Sequence, residues 1–245
     1  MEEKTWFKDW FDTKYYHLLY QNRNESEAEN FIKNLTHFLH LENGAEILDL
    51  ACGKGRHAMI LHQLGFEVLG ADLSENSINE AKKNEKDGLT FQVQDMREMI
   101  PQKQFDAVFN LFTRFGYFED TSDNVKVIQA VFQMLKSKGI LVIDFMNVHR
   151  VLDRMIIEET KVVSGIQFGL HRKYTGTHII KEINFKDGEH NFSYQEKVQA
   201  LKKEDFESLL QNNGFSLMHI FGDYNLNSFD KNLSDRLILI AQKNV

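Results

Sequence analysis

The sequence has little cysteine, little proline and no long apolar run. Cys52 is the single cysteine among 245 residues, so the chain has no intrachain disulfide and the reducing cytoplasm is its expected location. Pro101 is the single proline, which excludes motifs that need adjacent prolines. No apolar stretch approaches the length of a membrane span, and the start Met-Glu-Glu-Lys is unlike a secretory signal.

Positive charge is scarce as well. The chain has 29 Lys and Arg against 36 Asp and Glu, a formal net charge of −7. Nucleic-acid binders normally carry a positive footprint, so we expect neither a nucleic-acid nor a membrane partner. The ten histidines are scattered without paired ligand spacing, and we therefore predict no metal site.

The patterning predicts a single α/β domain with four segments. Residues 1–43 show apolar residues at helical spacing, which suits an N-terminal helical lid. Residues 44–150 alternate strands with helices and form the expected cofactor-binding core, whereas 151–201 are rich in β patterns. Residues 202–245 read as a closing helix and strand pair. This alternation predicts a doubly wound, mainly parallel sheet covered on both faces, with an antiparallel β excursion. Its five core strands are expected at Glu46–Leu50, Glu67–Ala71, Thr90–Val93, Ala107–Leu111 and Ile140–Phe145.

The most informative motif runs from Ile47 to Ala58. An apolar run carrying Asp49 leads into Gly53 and Gly55, and a helix-forming sequence follows. This order predicts a buried strand that turns sharply into a helix, with bare backbone that a ligand can approach. Helix N-terminal amides beside a carboxylate suit a nucleotide-like ligand with hydroxyl and ammonium groups.

Acidic or polar residues recur where the predicted strands end. In an open α/β sheet, ligands bind outside these carboxyl ends. Asp72 follows the glycines by about twenty residues, the separation expected of a carboxylate that binds a ribose diol. The simpler alternative is that such a residue only caps a helix or forms a turn. The residues concerned are Asp49, Asp72, Asp95 and Asn110, with Asp144 on the fifth strand.

An NAD-dependent oxidoreductase remains a second hypothesis, because residues 53–58 fit the dinucleotide fingerprint G-x-G-x-x-G/A. Three features favour a different nucleotide. Asp49 would crowd a pyrophosphate but suits an ammonium group. Asp95 and Met96 follow the third strand, where an adenine amino group needs an acceptor. The chain then ends in a strand pair, without a second nucleotide-binding half.

Four ordered runs resemble the class I S-adenosylmethionine-dependent methyltransferases: residues 49–57, 71–74, 94–96 and 105–112. Residues 110–118 are similar to bacterial small-molecule enzymes, including amino-sugar N-methyltransferases. The resemblance implies a Rossmann-like seven-stranded sheet of order 3-2-1-4-5-7-6 with an antiparallel seventh strand. It also implies S-adenosyl-L-methionine as cofactor and methyl transfer to nitrogen or oxygen of a small-molecule acceptor.

Matched positions imply roles for individual residues. The glycines would lie near the methionine moiety, Asp72 at the ribose, Asp95 and Met96 at adenine, and Asn110 close to the sulfonium. Tyr20 and Arg23 of the lid could bind the cofactor carboxylate. Arg114 departs from the family pattern, where a small residue is common; it would narrow the pocket or bind an anionic substrate. The candidate cofactor-binding residues are Tyr20, Arg23, Asp49, Ala51, Gly53, Gly55, Arg56, Asp72, Leu73, Asp95, Met96, Asn110 and Phe112.

Methyl transfer from a sulfonium needs mainly alignment and exclusion of water. A base is optional for a neutral amine and useful for a hydroxyl, and the candidates are Tyr117, His149 and His171. Asn110 is followed by Leu111 and Phe112 rather than two prolines, which argues against methylation of base amino groups in nucleic acid. A cofactor-binding protein without turnover stays open, as does the choice between monomer and homodimer.

Overall fold

The computed structural model describes residues 10–20 and 25–245. Two helices of the predicted N-terminal segment fall within these ranges, α1 (Lys14–Leu19) and α2 (Glu25–Leu39). Thr13 caps α1, because its hydroxyl accepts a hydrogen bond of 3.1 Å from the Tyr16 backbone N–H. Arg23 lies outside the described residues.

Strands and helices then alternate, as the sequence predicts. Five strands come first in the chain: β1 (Glu46–Leu50), β2 (Glu67–Asp72), β3 (Leu89–Val93), β4 (Phe105–Asn110) and β5 (Leu135–Met146). The helices between and after them are α3 (Arg56–Gln63), α4 (Glu75–Ala81), α5 (Thr121–Met134) and α6 (Val148–Asp153), with a 3₁₀ turn at Lys82–Asn84 after α4.

The β-rich segment forms a separate four-stranded antiparallel sheet. Its strands are β6 (Glu158–Val163), β7 (Ile166–Tyr174), β8 (His178–Asp187) and β9 (His190–Gln199), paired in that order. Trp10, Tyr15 and Tyr16 pack with Phe168 and Phe185 of this sheet in one apolar cluster. Trp10, Tyr15 and Tyr16 therefore connect the segment around α1 to the excursion, whereas Phe31 of α2 packs in the apolar cluster of the main sheet.

The chain closes with α7 (Lys203–Asn212), β10 (Phe215–Phe221) and β11 (Arg236–Lys243). The main sheet has seven strands in the order β3-β2-β1-β4-β5-β11-β10. Strands β1 to β5 pair in parallel, whereas β11 runs antiparallel to both β5 and β10. Counted within this sheet the order is 3-2-1-4-5-7-6, which confirms the predicted doubly wound Rossmann-like fold.

Helices cover both faces of this sheet, because β1 places apolar side chains on each face in alternation. Leu48 and Leu50 join the cluster formed with α5 and α7, whereas Ile47 joins the cluster formed with α2, α3 and α4. Among the described residues, no helix is long and apolar enough to cross a membrane.

Strands β4 and β5 differ from the sequence expectation by two residues or more at their starts, whereas β2 and β3 differ by one residue at one end. Strand β4 covers Phe105–Asn110 rather than Ala107–Leu111, and β5 begins at Leu135, directly after α5. Phe105 pairs with Leu135 before the register shifts, so backbone pairing extends both strands beyond their apolar runs.

Candidate functional site

A cavity of about 220 Å³ lies at the carboxyl ends of the parallel strands. The loops after β1, β2, β3 and β4 contribute to its walls, and the N-terminal segment contributes the side opposite them. Nine of the candidate residues line this cavity: Tyr20, Ala51, Gly53, Arg56, Asp72, Leu73, Asp95, Met96 and Tyr117. The topology thus brings together residues that are far apart in sequence, as expected for a doubly wound sheet.

The two motif glycines have different structural roles. Both have positive φ, +58° at Gly53 and +80° at Gly55. A Cβ at Gly53 would meet only the Arg114 Nη2 atom, at 3.8 Å, so this backbone is open to the cavity. A Cβ at Gly55 would lie 2.4 Å from the Phe91 ring. Gly53 therefore leaves room for a ligand, whereas Gly55 leaves room for Phe91.

Asp72 shapes the glycine turn as well as the cavity. Its Oδ2 accepts a hydrogen bond of 2.8 Å from the Gly53 backbone N–H. Its Oδ1 accepts one of 2.9 Å from the Ser74 backbone N–H. Each carboxylate oxygen has more than one lone pair, so Asp72 can also accept hydrogen bonds from ligand hydroxyls. The turn-forming role and the ligand-binding role are compatible in the same side chain.

Asp49 is a buried carboxyl group at the base of this turn. It does not line the cavity, and in the described part of the chain its Oδ2 atom has no hydrogen-bond partner. Burial raises the pKa of Asp49 from 3.8 to about 7, opposed by a hydrogen bond from the Ala58 backbone N–H and by the charge of Arg114. A buried carboxylate with an unpartnered oxygen favours a proton or a nearby cation.

The third loop contributes a carboxylate that is already paired. Arg97 binds Asp95 through its guanidinium, with the Nη2 atom 2.7 Å from Oδ2, and also reaches Asp123 at 3.0 Å. Burial raises the pKa of Asp95, but Arg97 outweighs it and lowers the pKa overall. Asp95 is therefore ionised at neutral pH. Apolar side chains beside it in the cavity wall are Leu73, Met96 and Phe118.

Four of the candidate cofactor-binding residues in the described ranges do not line the cavity: Asp49, Gly55, Asn110 and Phe112. Asn110 is buried, and its Nδ2 atom donates to the Leu50 carbonyl at 3.1 Å. The Phe112 ring stacks on His57 with centroids 4.7 Å apart. These residues support the strand ends and the glycine turn from behind.

A strained turn follows β4 and directs the next residues toward the cavity. Phe112 and Thr113 both have positive φ, +60° and +56°. The Phe112 N–H donates to Asp144 Oδ2 at 2.8 Å, and the Thr113 N–H donates to the Asp144 carbonyl at 2.8 Å. Arg236 pairs with Asp144 at 2.7 Å and donates to the Thr113 hydroxyl at 3.0 Å. This buried ion pair holds the turn in which Arg114 comes next.

Of the three candidate catalytic residues, the structure brings Tyr117 to the cavity. Its hydroxyl donates to the Thr113 carbonyl at 2.7 Å. His149 is the second residue of α6 and lines a different pocket, together with Lys202 and Lys231. His171 lies on β7, partly exposed, with its Nδ1 atom 3.8 Å from Glu158. The structure thus separates both histidines from the cavity.

The N-terminal segment contributes more to the cavity than its motifs indicate. Tyr20 lines it, while its hydroxyl donates to Glu196 at 2.7 Å. The spacing of the aromatic residues around α1 indicates a helix that could form this wall of the cavity. The spacing alone does not show which side of the helix faces a ligand. Cavity-lining residues outside the candidate set include Phe11, Tyr16, His17, Gln94, Arg114 and Phe118.

These features fit the cofactor that the resemblance implies. Asp49 has an unpartnered buried oxygen suited to an ammonium group, and Asp72 faces the cavity beside the open backbone of Gly53. The wall formed by Leu73, Met96 and Phe118 suits a flat, apolar ring system. Among residues 10–20 and 25–245, no group of three His, Cys, Asp or Glu side chains is placed to bind a metal ion.

Comparisons with known proteins agree with this geometry. A family model described as a methyltransferase domain matches residues 41–214. YqeM of Bacillus subtilis (strain 168), a protein named as a methyltransferase, is 30% identical over 217 residues, 83% of this chain and 86% of its own length. A glycine/sarcosine N-methyltransferase of Aphanothece halophytica is 29% identical over 236 residues, 90% of this chain and 83% of that protein. An S-adenosylmethionine-dependent methyltransferase from Clostridium acetobutylicum ATCC 824 has the same fold, with a TM-score of 0.80, 21% identity and coverage of 94% and 96% of the two chains.

Proposed function

Because this chain belongs to the methyltransferase-domain family, we propose that it transfers the methyl group of S-adenosylmethionine to a nitrogen or oxygen of a small molecule bound in the cavity beside Gly53. The observation that carries the proposal is the meeting of Gly53, Asp72 and Tyr117 at one cavity, at the carboxyl ends of the parallel strands. The predictions of enzyme class and cofactor are confirmed by the family match and the methyltransferase relatives.

In this proposal, different residues bind different groups of the cofactor. Asp49, which is buried outside the cavity wall at the base of the glycine turn, would attract the ammonium group of the cofactor by its charge. Asp72, which lines the cavity, would accept hydrogen bonds from the ribose hydroxyls. Leu73 and Met96 would contact the adenine ring. When bound, the cofactor supplies a methyl group on a sulfonium, which is already an activated leaving group.

The residues of the chain would then align the acceptor and exclude water. Tyr117 lies in the loop after β4, and we assign it the role of orienting the acceptor. Phe11, Tyr16 and Tyr20 cover the side opposite the glycine turn, so the N-terminal segment would act as a lid. A neutral amine acceptor needs no general base, whereas a hydroxyl acceptor benefits from one. His149 and His171 do not contribute to the cavity, and the histidines that line it are His17 and His57.

The name of one relative favours nitrogen over oxygen as the atom that accepts the methyl group. The relative from Aphanothece halophytica is named a glycine/sarcosine N-methyltransferase and aligns over most of both chains. The net charge of −7 supports a small-molecule acceptor rather than nucleic acid. The free Cys52 fits a cytoplasmic enzyme, and a monomer or homodimer is expected.

Isothermal titration with S-adenosylmethionine and S-adenosylhomocysteine tests the cofactor assignment. We expect binding by the wild type and a loss of affinity of roughly tenfold to a hundredfold in Asp72→Asn, because a charged acceptor is removed. Asp87→Asn, at an exposed site, is the control and should bind normally. Titration with NADH tests the oxidoreductase alternative. Absence of binding by S-adenosylhomocysteine, or binding of NADH instead, would refute the proposal.

Turnover is tested by incubating the enzyme with S-adenosylmethionine and a panel of amines, amino acids, amino sugars and phenols. Release of S-adenosylhomocysteine that depends on an added acceptor supports methyl transfer. Cofactor binding with no acceptor-dependent release across the panel would favour a cofactor-binding protein without turnover.

A further inference from the structure

Arg114 lines the cavity without a carboxylate partner among the described residues, unlike three other arginines of the chain. Arg97, Arg172 and Arg236 have carboxylate oxygens at 2.7, 2.6 and 2.7 Å, respectively. Within the ranges that the structure describes, no carboxylate lies within 4 Å of the Arg114 guanidinium, the distance that defines such a pair. Arg114 instead lines the cavity, where its Nη2 atom lies 3.8 Å from the position of a Cβ on Gly53.

The guanidinium is charged at neutral pH. Burial lowers the pKa of Arg114, but Tyr16, Tyr117 and Asp72 outweigh this effect and raise it overall. Tyr16 lines the cavity together with Arg114, and the Phe11 ring lies 5.9 Å from the guanidinium carbon. Tyr16 and Tyr117 offer hydroxyl groups to the guanidinium, whereas a carboxylate would be an anionic partner.

The backbone that presents Arg114 is held in advance. Phe112 and Thr113, the two residues before it, are fixed in left-handed conformations by hydrogen bonds to Asp144. Arg236 adds a hydrogen bond to the Thr113 hydroxyl. A fixed position reduces the entropy lost when an arginine binds a ligand, and the planar guanidinium matches a carboxylate in two parallel hydrogen bonds.

From these observations we infer that Arg114 binds a carboxylate of the methyl acceptor, and that the acceptor class is a small amine bearing a carboxylate. This inference rests on the proposed function. S-adenosylmethionine carries a sulfonium, an ammonium and one carboxylate, so its net charge is positive. Asp49 and Asp72 supply negative charge for the positive groups of the cofactor, and the charge of Arg114 favours a further anion in the cavity. An acceptor with a carboxylate supplies such an anion, and Tyr16 lines the same cavity as Arg114.

The carboxylate of the cofactor itself is the other possible partner for Arg114, so the experiment must separate the two sources. Matched probes are glycine with glycinamide, sarcosine with sarcosinamide, and 4-aminobutyrate with 4-aminobutanamide. Their affinities for the enzyme–S-adenosylhomocysteine complex are measured by ligand-observed NMR in wild type, Arg114→Met and Arg114→Lys. Arg154→Met, at an exposed position, is the control.

We expect at least one acid to bind the wild type more tightly than its amide, by about tenfold to a hundredfold. Arg114→Met should abolish this preference, Arg114→Lys should keep part of it, and Arg154→Met should keep all of it. The affinity for S-adenosylhomocysteine should be nearly unchanged in all three variants. Arg114→Met should also raise the KM for the acid and leave that for its amide unaltered.

Three results would overturn the inference. The first is equal binding, or no binding, of acids and amides by the wild type. The second is an acid preference that survives in Arg114→Met. The third is a loss of S-adenosylhomocysteine affinity in that variant with the acid preference intact, which would assign Arg114 to the cofactor. Failure of the wild type to bind S-adenosylhomocysteine would instead refute the proposed function itself.

Discussion

Substituting alanine at each motif glycine separates packing from ligand binding. Gly55→Ala places a methyl group 2.4 Å from the Phe91 Cε1 atom and 2.6 Å from Cζ, well inside van der Waals contact. The Phe91 ring cannot move aside, because a Cβ at Gly70 would also lie 2.4 Å from it and the ring is buried between the two glycines. Gly53→Ala meets only the end of Arg114, at 3.8 Å.

The magnitudes follow from these contacts. A left-handed conformation costs an L-residue about 1–2 kcal/mol, and both positions incur this cost. Overpacking adds about 1–3 kcal/mol at Gly55 alone. Reduced freedom of the unfolded chain returns about 0.4–1 kcal/mol in each variant. The expected loss in free energy of unfolding is therefore about 2–4 kcal/mol for Gly55→Ala and about 1 kcal/mol for Gly53→Ala.

Urea unfolding followed by circular dichroism measures both losses. Phe91→Leu combined with Gly55→Ala should be less destabilising than the sum of the single changes, because a smaller side chain leaves room for the methyl group. Both variants are then titrated with S-adenosylhomocysteine under conditions in which Gly55→Ala is folded. Gly53→Ala should lose more affinity for this ligand than Gly55→Ala does. Equal stability of the two alanine variants, or unchanged ligand affinity in Gly53→Ala, would refute this division of roles.

Four further predictions concern polar groups that are buried or partly buried. The pKa of Asp49 in the folded protein is about 7, above its ordinary value of 3.8, so the native protein retains a proton that the unfolded chain loses. The free energy of unfolding should therefore fall as the pH rises from about 4 to 7. Urea titrations at several pH values should show this fall in the wild type and not in Asp49→Asn. Binding of S-adenosylmethionine at pH 6 should release a proton from the wild type but not from Asp49→Asn. Calorimetry in buffers of different ionisation enthalpy measures this proton release. Equal proton release by the two proteins would contradict the prediction. Asp144→Ala leaves Arg236 buried without its partner and should cost about 3–5 kcal/mol by chemical unfolding; a loss below 1 kcal/mol would exclude a structural role for the pair. Glu196→Ala removes the carboxylate that binds Trp10, Tyr20 and Lys181 and should lower stability by about 2–4 kcal/mol with a change in tryptophan emission, whereas exposed Glu189→Ala should do neither.

Much of the site follows from local pattern. Asp49, Gly53 and Asp72 can be identified from the sequence, because an apolar strand followed by glycines or by an acidic residue is typical of a nucleotide-binding site. The seven-stranded order was accessible only through the family resemblance, since periodicity shows that strands alternate with helices but not which strands are neighbours. Element boundaries at β4 and β5 were less accurate, because backbone pairing continues past the apolar residues.

Other assignments required the folded chain. Gly55 and Phe112 belong to recognisable motifs, yet they pack against Phe91 and His57 rather than face the cavity. His149 and His171 have suitable chemistry but lie on elements that point elsewhere. Arg114 was noticeable in sequence as a departure from the family, but its lack of a carboxylate partner is a property of its surroundings.

The order of residues along this chain was enough to identify a nucleotide-binding α/β fold and the carboxylates at its strand ends, because secondary structure periods and turn chemistry are local. Three features were decided by contacts between distant segments: which side chains share the cavity, which glycine faces it, and that Arg114 has no carboxylate partner among the described residues. Those contacts depend on how three apolar clusters pack in space, and local patterns do not specify that packing.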